Sequence, residues 1–255
     1  MTRSVAVLAG GLGTRMSHLT GSGTPKAMLP VCGQPFIDLK LAELVAAGAD
    51  EIVVLVGFGA DAIRAHVGPR AEGGVPVQFV DDGRELLGTG GAIRRALGLL
   101  PDPFWTTYGD TLLDVDLGPP EQQLQRLPQL GGVMTVLQNE DRWQRSNVSI
   151  DHERLVTSYD KHSSPGSHAY IDYAMRLLRH ELFAHRPHGA AFDLADVLRE
   201  AVTSRRLAAS VVHERFHDIG SEEAWRDTEQ WARSTDLRGR LRQRIERRAA
   251  QRGLS

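Results

Sequence analysis

The most constraining feature of this 255-residue chain is a rhythm of short apolar runs and helical segments. SVAVLAG (4–10), EIVVLVG (51–57), VPVQFVD (75–81) and FWTTYGD (104–110) are short, β-branched and bounded by Gly or Asp, as buried strands are. In the intervening PFIDLKLAELVAAGAD, Ile37, Leu41, Leu44 and Val45 fall on one helical face and Gly48 suits a helix stop. GADAIRAHVG and GTGGAIRRALGLL read as further helices. Strands alternating with crossover helices predict an α/β fold whose mixed, mostly parallel central sheet is flanked by helices.

Beyond residue 130 the rhythm changes. GGVMTVLQN reads as a strand, NVSIDHERLVTSYDK as a hairpin-like pair, and AYIDYAMRLLR as a continuing strand or the start of a helix. DLADVLREAVTSRR is a helix led by Asp193, and AASVVHE (208–214) is a late strand. This half is expected to form a smaller β insertion that roofs the open edge of the first sheet. SEEAWRDTEQWARS, with Ser221 as its N-cap, and an arginine-rich helix close the chain.

A single large domain is the default at this length. No apolar stretch approaches the ~20 residues that span a bilayer. The start, MTRSVAVLAGG, lacks the features of a secretory signal, so a soluble cytoplasmic protein is expected. Cys32, the only cysteine, excludes an internal disulfide and reads as a small buried filler rather than a nucleophile. Seven arginines against Asp236 and Glu246 give residues 236–255 a charge of +5, leaving −7 for the rest of a chain whose net charge is −2. Nucleic-acid binding by so acidic a body is not expected, nor is a membrane partner.

LAGGLGTRMSHLTGSGTPKAMLP, residues 8–30, places a glycine turn and two cations directly after the first strand. A strand, a tight turn and a helix start can aim backbone N–H groups at phosphate. The spacing is neither that of a Walker A loop nor that of the dinucleotide fingerprint. Arg15 could fork onto phosphate oxygens while Lys26 adds a point charge. Taken alone, the glycines equally suit an ordinary βα turn with both cations solvated.

The whole string resembles the signature of the sugar-1-phosphate nucleotidyltransferases, Gly-Gly-x-Gly-Thr-Arg followed by Pro-Lys and further prolines, here residues 10–15, Pro25-Lys26, Pro30 and Pro35. LLGTGGAI, GDTLLDVDL and YIDYA are most similar to the heptose- and mannose-1-phosphate guanylyltransferase-like branch. The resemblance implies a Rossmann-like nucleotidyltransferase domain over residues 1–235. Its nucleotide-binding half would be about 1–130 and its sugar-binding half about 131–235, with 236–255 as an appended Arg-rich helix. It implies transfer of a nucleoside monophosphate from a nucleoside triphosphate, GTP favoured, to a heptose- or mannose-like sugar 1-phosphate, with release of pyrophosphate. UTP-, CTP- or ATP-using hexose enzymes and a non-catalytic nucleotide-sugar sensor of the same fold remain alternatives.

The resemblance also assigns residues. Leu8, Ala9, Gly10, Gly11, Gly13, Thr14 and Arg15 would wrap the nucleotide, with Lys26 on its α-phosphate side and Gly88 and Thr89 at base and ribose. Asp110 and Asp218 would hold Mg²⁺ or Mn²⁺, with Arg15, Lys26 and Asp110 forming the catalytic set. Gly109, Asn147, Asp160, Lys161 and Asp172 would face the sugar phosphate. Asp114 and Asp116 are left as capping or surface residues. The histidines lack zinc-ligand spacing, and the tryptophans and the stripe Leu237, Leu241, Ile245 read as packing. The partners expected are the two substrates, with a homodimer admitted.

Overall fold

The structure, a computed structural model, describes residues 2–11, 24–83, 86–251 and 253. In chain order the strands are β1 (Ser4–Leu8), β2 (Pro30–Val31), β3 (Gln34–Pro35), β4 (Glu51–Val56), β5 (Val77–Asp81), β6 (Phe104–Tyr108), β7 (Thr111–Leu112), β8 (Gly132–Gln138), β9 (Val148–Ile150), β10 (Val156–Tyr159), β11 (Tyr170–Leu178), β12 (Leu207–Val212) and β13 (His217–Asp218). The α-helices are α1 (Phe36–Ala47), α2 (Ala60–Val67), α3 (Gly88–Ala96), α4 (Gly118–Arg126), α5 (Leu194–Thr203), α6 (Glu222–Ser234) and α7 (Leu237–Gln251). The fold is mixed α/β, as the strand–helix rhythm predicts. The chain divides into two compact units, residues 1–86 with 108–114 and 216–255, and residues 87–107 with 115–215.

In the first unit β1, β4 and β5 pair in parallel, with Val5 opposite Ile52 and Val54 opposite Phe79. Each parallel step needs a crossover, and α1 and α2 supply them. Val5 and Val7 on one face and Ala6 on the other are fully buried, as are Ile52 and Val54 against Val53, so these strands are apolar on both faces, as covered parallel strands must be. Ile37, Leu41, Leu44 and Val45 are buried as their shared face predicts, and so is every other residue of α1 but Asp38: the helix is packed all round. Gly48 ends it at φ +106, a conformation that favours glycine. The Arg-rich segment is indeed a helix, and its stripe Leu237, Leu241, Ile245 is buried where α7 packs on α1.

Several surface expectations gain partners in this unit. Arg244 donates to Asp114 at 2.9 Å, and Arg242 lies 3.8 Å from Glu72. Ser221 caps α6 by accepting the Ala224 N–H at 3.2 Å. Cys32 is a correction: it sits exposed in the β2–β3 turn at φ +51, because the hairpin's tight turn points it outward.

In the second unit β11 is central. It pairs antiparallel with β6 and β8, and β8 pairs in parallel with β12. The expected hairpin is β9–β10, antiparallel, with Tyr159 opposite Val148. AYIDYAMRLLR resolves as strand, not helix, with a register shift between Asp172 and Arg176. Asp193 caps α5 by accepting the Ala195 N–H at 2.9 Å. Asp116 accepts the Gly118 N–H at 2.9 Å where α4 begins; α4 itself, with two prolines at its start, carries no apolar periodicity that signals it.

Candidate functional site

The first unit holds the end of β1, the candidate catalytic residues Lys26 and Asp110, and the candidate metal ligand Asp218. Past Leu8 the chain continues along the sheet, the Ala9 N–H donating to Leu55 C=O at 2.9 Å. Gly10 then passes so close to Gly57 that a Cβ on it would lie 3.2 Å from Gly57 N, and one on Gly57 would lie 3.0 Å from Gly10 O. Two backbones approach here with no room for side chains. Gly109 joins the same end of β1: its N–H donates to Leu8 C=O at 2.9 Å, and its own Cβ would meet that oxygen at 3.1 Å. Among the described residues, none lies within 4 Å of a Cβ placed on Gly11. Gly13, Thr14 and Arg15 lie outside the described residues.

Lys26 opens a single 3-10 turn after Pro25, and its Nζ donates to Asp110 Oδ2 at 2.6 Å. Asp110 stands just before β7, its Oδ1 accepting the Thr111 hydroxyl at 3.1 Å. β7 pairs with β13, Thr111 opposite Asp218, and the Ile219 N–H continues this ladder onto Asp110 C=O at 3.0 Å. A ladder of two residues thus carries both aspartates. Asp218 Oδ1 accepts the Gly220 N–H at 2.7 Å, and Asp218 C=O accepts the hydroxyl of buried Thr228 at 2.7 Å. A Cβ on Gly220 would fall 2.8 Å from Asp218 Oδ1 and 3.8 Å from Lys26 Nζ, so both side chains border the space that glycine leaves. The structure brings together Lys26, Asp110 and Asp218, residues remote in sequence.

This donor set suits a hard divalent cation. Mg²⁺ is commonly held by one or two carboxylates plus phosphate oxygens and water. Among the described residues no group of three or more His, Cys, Asp or Glu could hold a metal by protein ligands alone. A cation on Asp110 and Asp218 would therefore complete its shell from substrate and water.

The second unit holds the candidate base and sugar residues. Gly88 sits at φ +69, and a Cβ there would meet Phe192 O at 2.7 Å. Thr89 Oγ1 donates to Asp193 Oδ1 at 2.9 Å and accepts the Leu194 N–H at 2.8 Å. Lys161 Nζ reaches the same carboxylate at 3.0 and 3.1 Å. Burial would raise the Asp193 pKa, but the Ala195 N–H, Lys161 and Thr89 outweigh it and hold the carboxyl below its usual range. Thr89 and Lys161, assigned to nucleotide and to sugar phosphate, thus meet on one aspartate.

Asn147, Asp160 and Asp172 meet where β9, β10 and β11 adjoin. Asn147 Oδ1 accepts the Asp172 N–H at 2.9 Å, and the Asp160 N–H donates to Asn147 C=O at 3.0 Å. Asp172 Oδ2 accepts the Tyr159 hydroxyl at 3.1 Å and pairs with the fully buried Arg176. The strand bulges just after Asp172, with Ala174 at φ +66, a distortion that re-aims side chains. Asp193 and Arg176 are the holding residues that sequence reading misses. Asp193 carries only a capping signal, and Arg176 lies inside an apolar strand with nothing to mark its partner. Among the histidines, His217 stacks on Trp231 with ring centroids 3.8 Å apart, and His66 pairs with Asp38 at 2.9 Å.

The MobA-like NTP transferase domain family matches residues 5–190 of the chain. The chain is 25% identical over 217 residues to the D-glycero-alpha-D-manno-heptose 1-phosphate guanylyltransferase of Campylobacter jejuni, covering 85% of this chain and 94% of that one. It is 47% identical to the N-acetylmuramate alpha-1-phosphate uridylyltransferase of Caulobacter vibrioides over 119 residues, 42% of this chain and 49% of that one. Among solved structures, HddC from Yersinia pseudotuberculosis complexed with GMP-PN superposes with a TM-score of 0.73 at 25% identity, over 90% of this chain and 99% of that one.

Proposed function

Since the chain belongs to the MobA-like NTP transferase domain family, and its relatives are sugar-1-phosphate nucleotidyltransferases, we propose that it transfers GMP from GTP to a heptose- or mannose-like sugar 1-phosphate. The observation that carries the catalytic reading is the meeting of Lys26, Asp110 and Asp218 beside Gly220. The guanine preference rests on the Campylobacter relative and on the guanine nucleotide in the Yersinia structure.

In the reaction, an oxygen of the sugar phosphate attacks the α-phosphorus of the triphosphate in line. A bond forms between that oxygen and the α-phosphorus, the bond from the α-phosphorus to the bridging oxygen breaks, and pyrophosphate leaves with the electron pair. The attacking oxygen is already ionised at neutral pH, so no general base is needed. The protein's task is alignment and neutralisation of growing negative charge. Lys26 serves the α-phosphate side and Arg15 forks onto the phosphate oxygens, while Leu8, Ala9, Gly10, Gly11, Gly13 and Thr14 supply backbone contacts. Asp110 and Asp218 would hold a divalent cation, Mg²⁺ or Mn²⁺, whose charge offsets that of the triphosphate. Gly88 and Thr89 face base and ribose; Gly109, Asn147, Asp160, Lys161 and Asp172 face the sugar phosphate.

A second reading, a uridylyltransferase, is favoured by the higher identity to the Caulobacter relative over the matched 119 residues. Pyrophosphate release from each of the four triphosphates, crossed with heptose, mannose, glucose and N-acetylmuramate 1-phosphates in Mg²⁺, tests both. Turnover with GTP and heptose or mannose 1-phosphate alone supports the first reading. Turnover confined to UTP replaces it with the second, and no release from any pair removes the enzyme reading.

A further inference from the structure

Helix α1 is packed on all sides, yet it carries Lys40 with no exposed surface and Glu43 with 6%. The two lie one turn apart, Nζ 3.2 Å from Glu43 Oε2 and 3.5 Å from Oε1. Burying an ion pair costs several kcal/mol per charge before attraction returns it, and apolar side chains of similar volume are often as stable or more so. Packing alone therefore gives no reason for this pair.

The far side of Glu43 does. α1 packs against β7, the backbone N–H of Leu113 just past that strand favours the ionised Glu43 carboxyl as a hydrogen-bond partner, and Lys40 feels the charge of Asp110. Leu113 directly follows β7, the strand that has Asp110 immediately before it and Asp218 across its ladder. One buried carboxylate thus fastens the short strand on which both aspartates depend. Alone, that carboxylate would add a negative charge close to that of Asp114. Beside Lys40 it grips the amide as half of a neutral pair.

We propose that Lys40 and Glu43 are positioning residues that set the spacing of Asp110 and Asp218. This rests on the reading above, in which those aspartates take a divalent cation. Two double variants separate positioning from mere packing. Lys40→Met/Glu43→Leu fills the space and removes the acceptor; Lys40→Met/Glu43→Gln is equally uncharged but keeps an amide oxygen for the Leu113 N–H. Mn²⁺ alone is titrated by water-proton relaxation, and pyrophosphate release is measured on the same samples. For Lys40→Met/Glu43→Leu we expect Mn²⁺ affinity and kcat to fall about 10–100-fold, the scale seen when groups supporting metal ligands are lost. KM for the sugar 1-phosphate should hold, and Lys40→Met/Glu43→Gln should recover most of both losses. Wild-type Mn²⁺ affinity and kcat in the Leu variant overturn the proposal. Should that variant not fold, a 10-fold loss of Mn²⁺ affinity in the Gln variant overturns it, and near-normal affinity there upholds it. A wild-type protein that neither binds Mn²⁺ nor releases pyrophosphate removes the underlying reading instead.

Discussion

Lys26 and Asp110 stand 84 residues apart in sequence, and Lys26 Nζ meets Asp110 Oδ2 at 2.6 Å. The lysine's side chain is 17% exposed and the aspartate's 38%, so the pair is partly in water and adds little to stability. In the proposed reaction its value lies in chemistry. Lys26→Ala and Asp110→Asn should each lower turnover about 10²-fold or more, as losses of transition-state contacts do, while urea midpoints barely move. Pyrophosphate release alongside denaturation curves checks this; near-normal turnover in both variants would remove their catalytic roles.

Gly88 gives the opposite case, a residue whose replacement strains the backbone. At φ +69 with a carbonyl oxygen 2.7 Å from any added Cβ, Gly88→Ala has no soft neighbour to displace. We expect a loss of about 1–3 kcal/mol, read from urea unfolding.

The Arg-rich helix α7 separates charge from packing. Leu241 is 4% exposed, and Leu241→Ala should cost about 2–5 kcal/mol. Arg244 pairs with Asp114 through half-exposed side chains, and Arg244→Ala should cost less than about 1 kcal/mol. Equal losses in the two unfolding curves would contradict attachment of the helix by its apolar stripe.

The buried pair on α1 makes a statement about pH. Burial pushes the Glu43 carboxyl up to about 7 despite Lys40 and the Leu113 N–H, with Asp114 adding to the rise. Its folded pKa thus exceeds its ordinary 4.5, so the associated stability is full below pH 4.5 and is lost as pH climbs to about 7. Urea midpoints of the wild type should fall across that window relative to those of Lys40→Met/Glu43→Gln. Parallel midpoint curves for the two proteins would place the Glu43 carboxyl near its ordinary value.

Local pattern makes much of this fold readable. The near-continuous apolar runs in SVAVLAG and EIVVLVG announce strands covered on both faces, and β1 and β4 are such strands. Asp193 and Ser221 announce helix starts because capping is a contact within a few residues. The ladder of β7 and β13 leaves no trace in sequence, since two-residue strands have no period to detect. Lys40 and Glu43 are invisible for another reason. A lysine and a glutamate in a helical pattern carry no local signal of burial, and only the packing around α1 reveals them as interior. Asp193 likewise looks complete as a cap, because its bonds to Thr89 and Lys161 come from residues 104 and 32 positions away.

The first unit is assembled from three stretches, residues 1–86, 108–114 and 216–255. During synthesis its opening stretch leaves the ribosome long before the strand bearing Asp218 and the helix that covers α1 have been translated. An N-terminal fragment ending anywhere before residue 216 therefore lacks Asp218 and the cover for a buried helix. The unit completes itself only as its third stretch emerges, which ties the pairing of Asp110 with Asp218 to translation through that stretch.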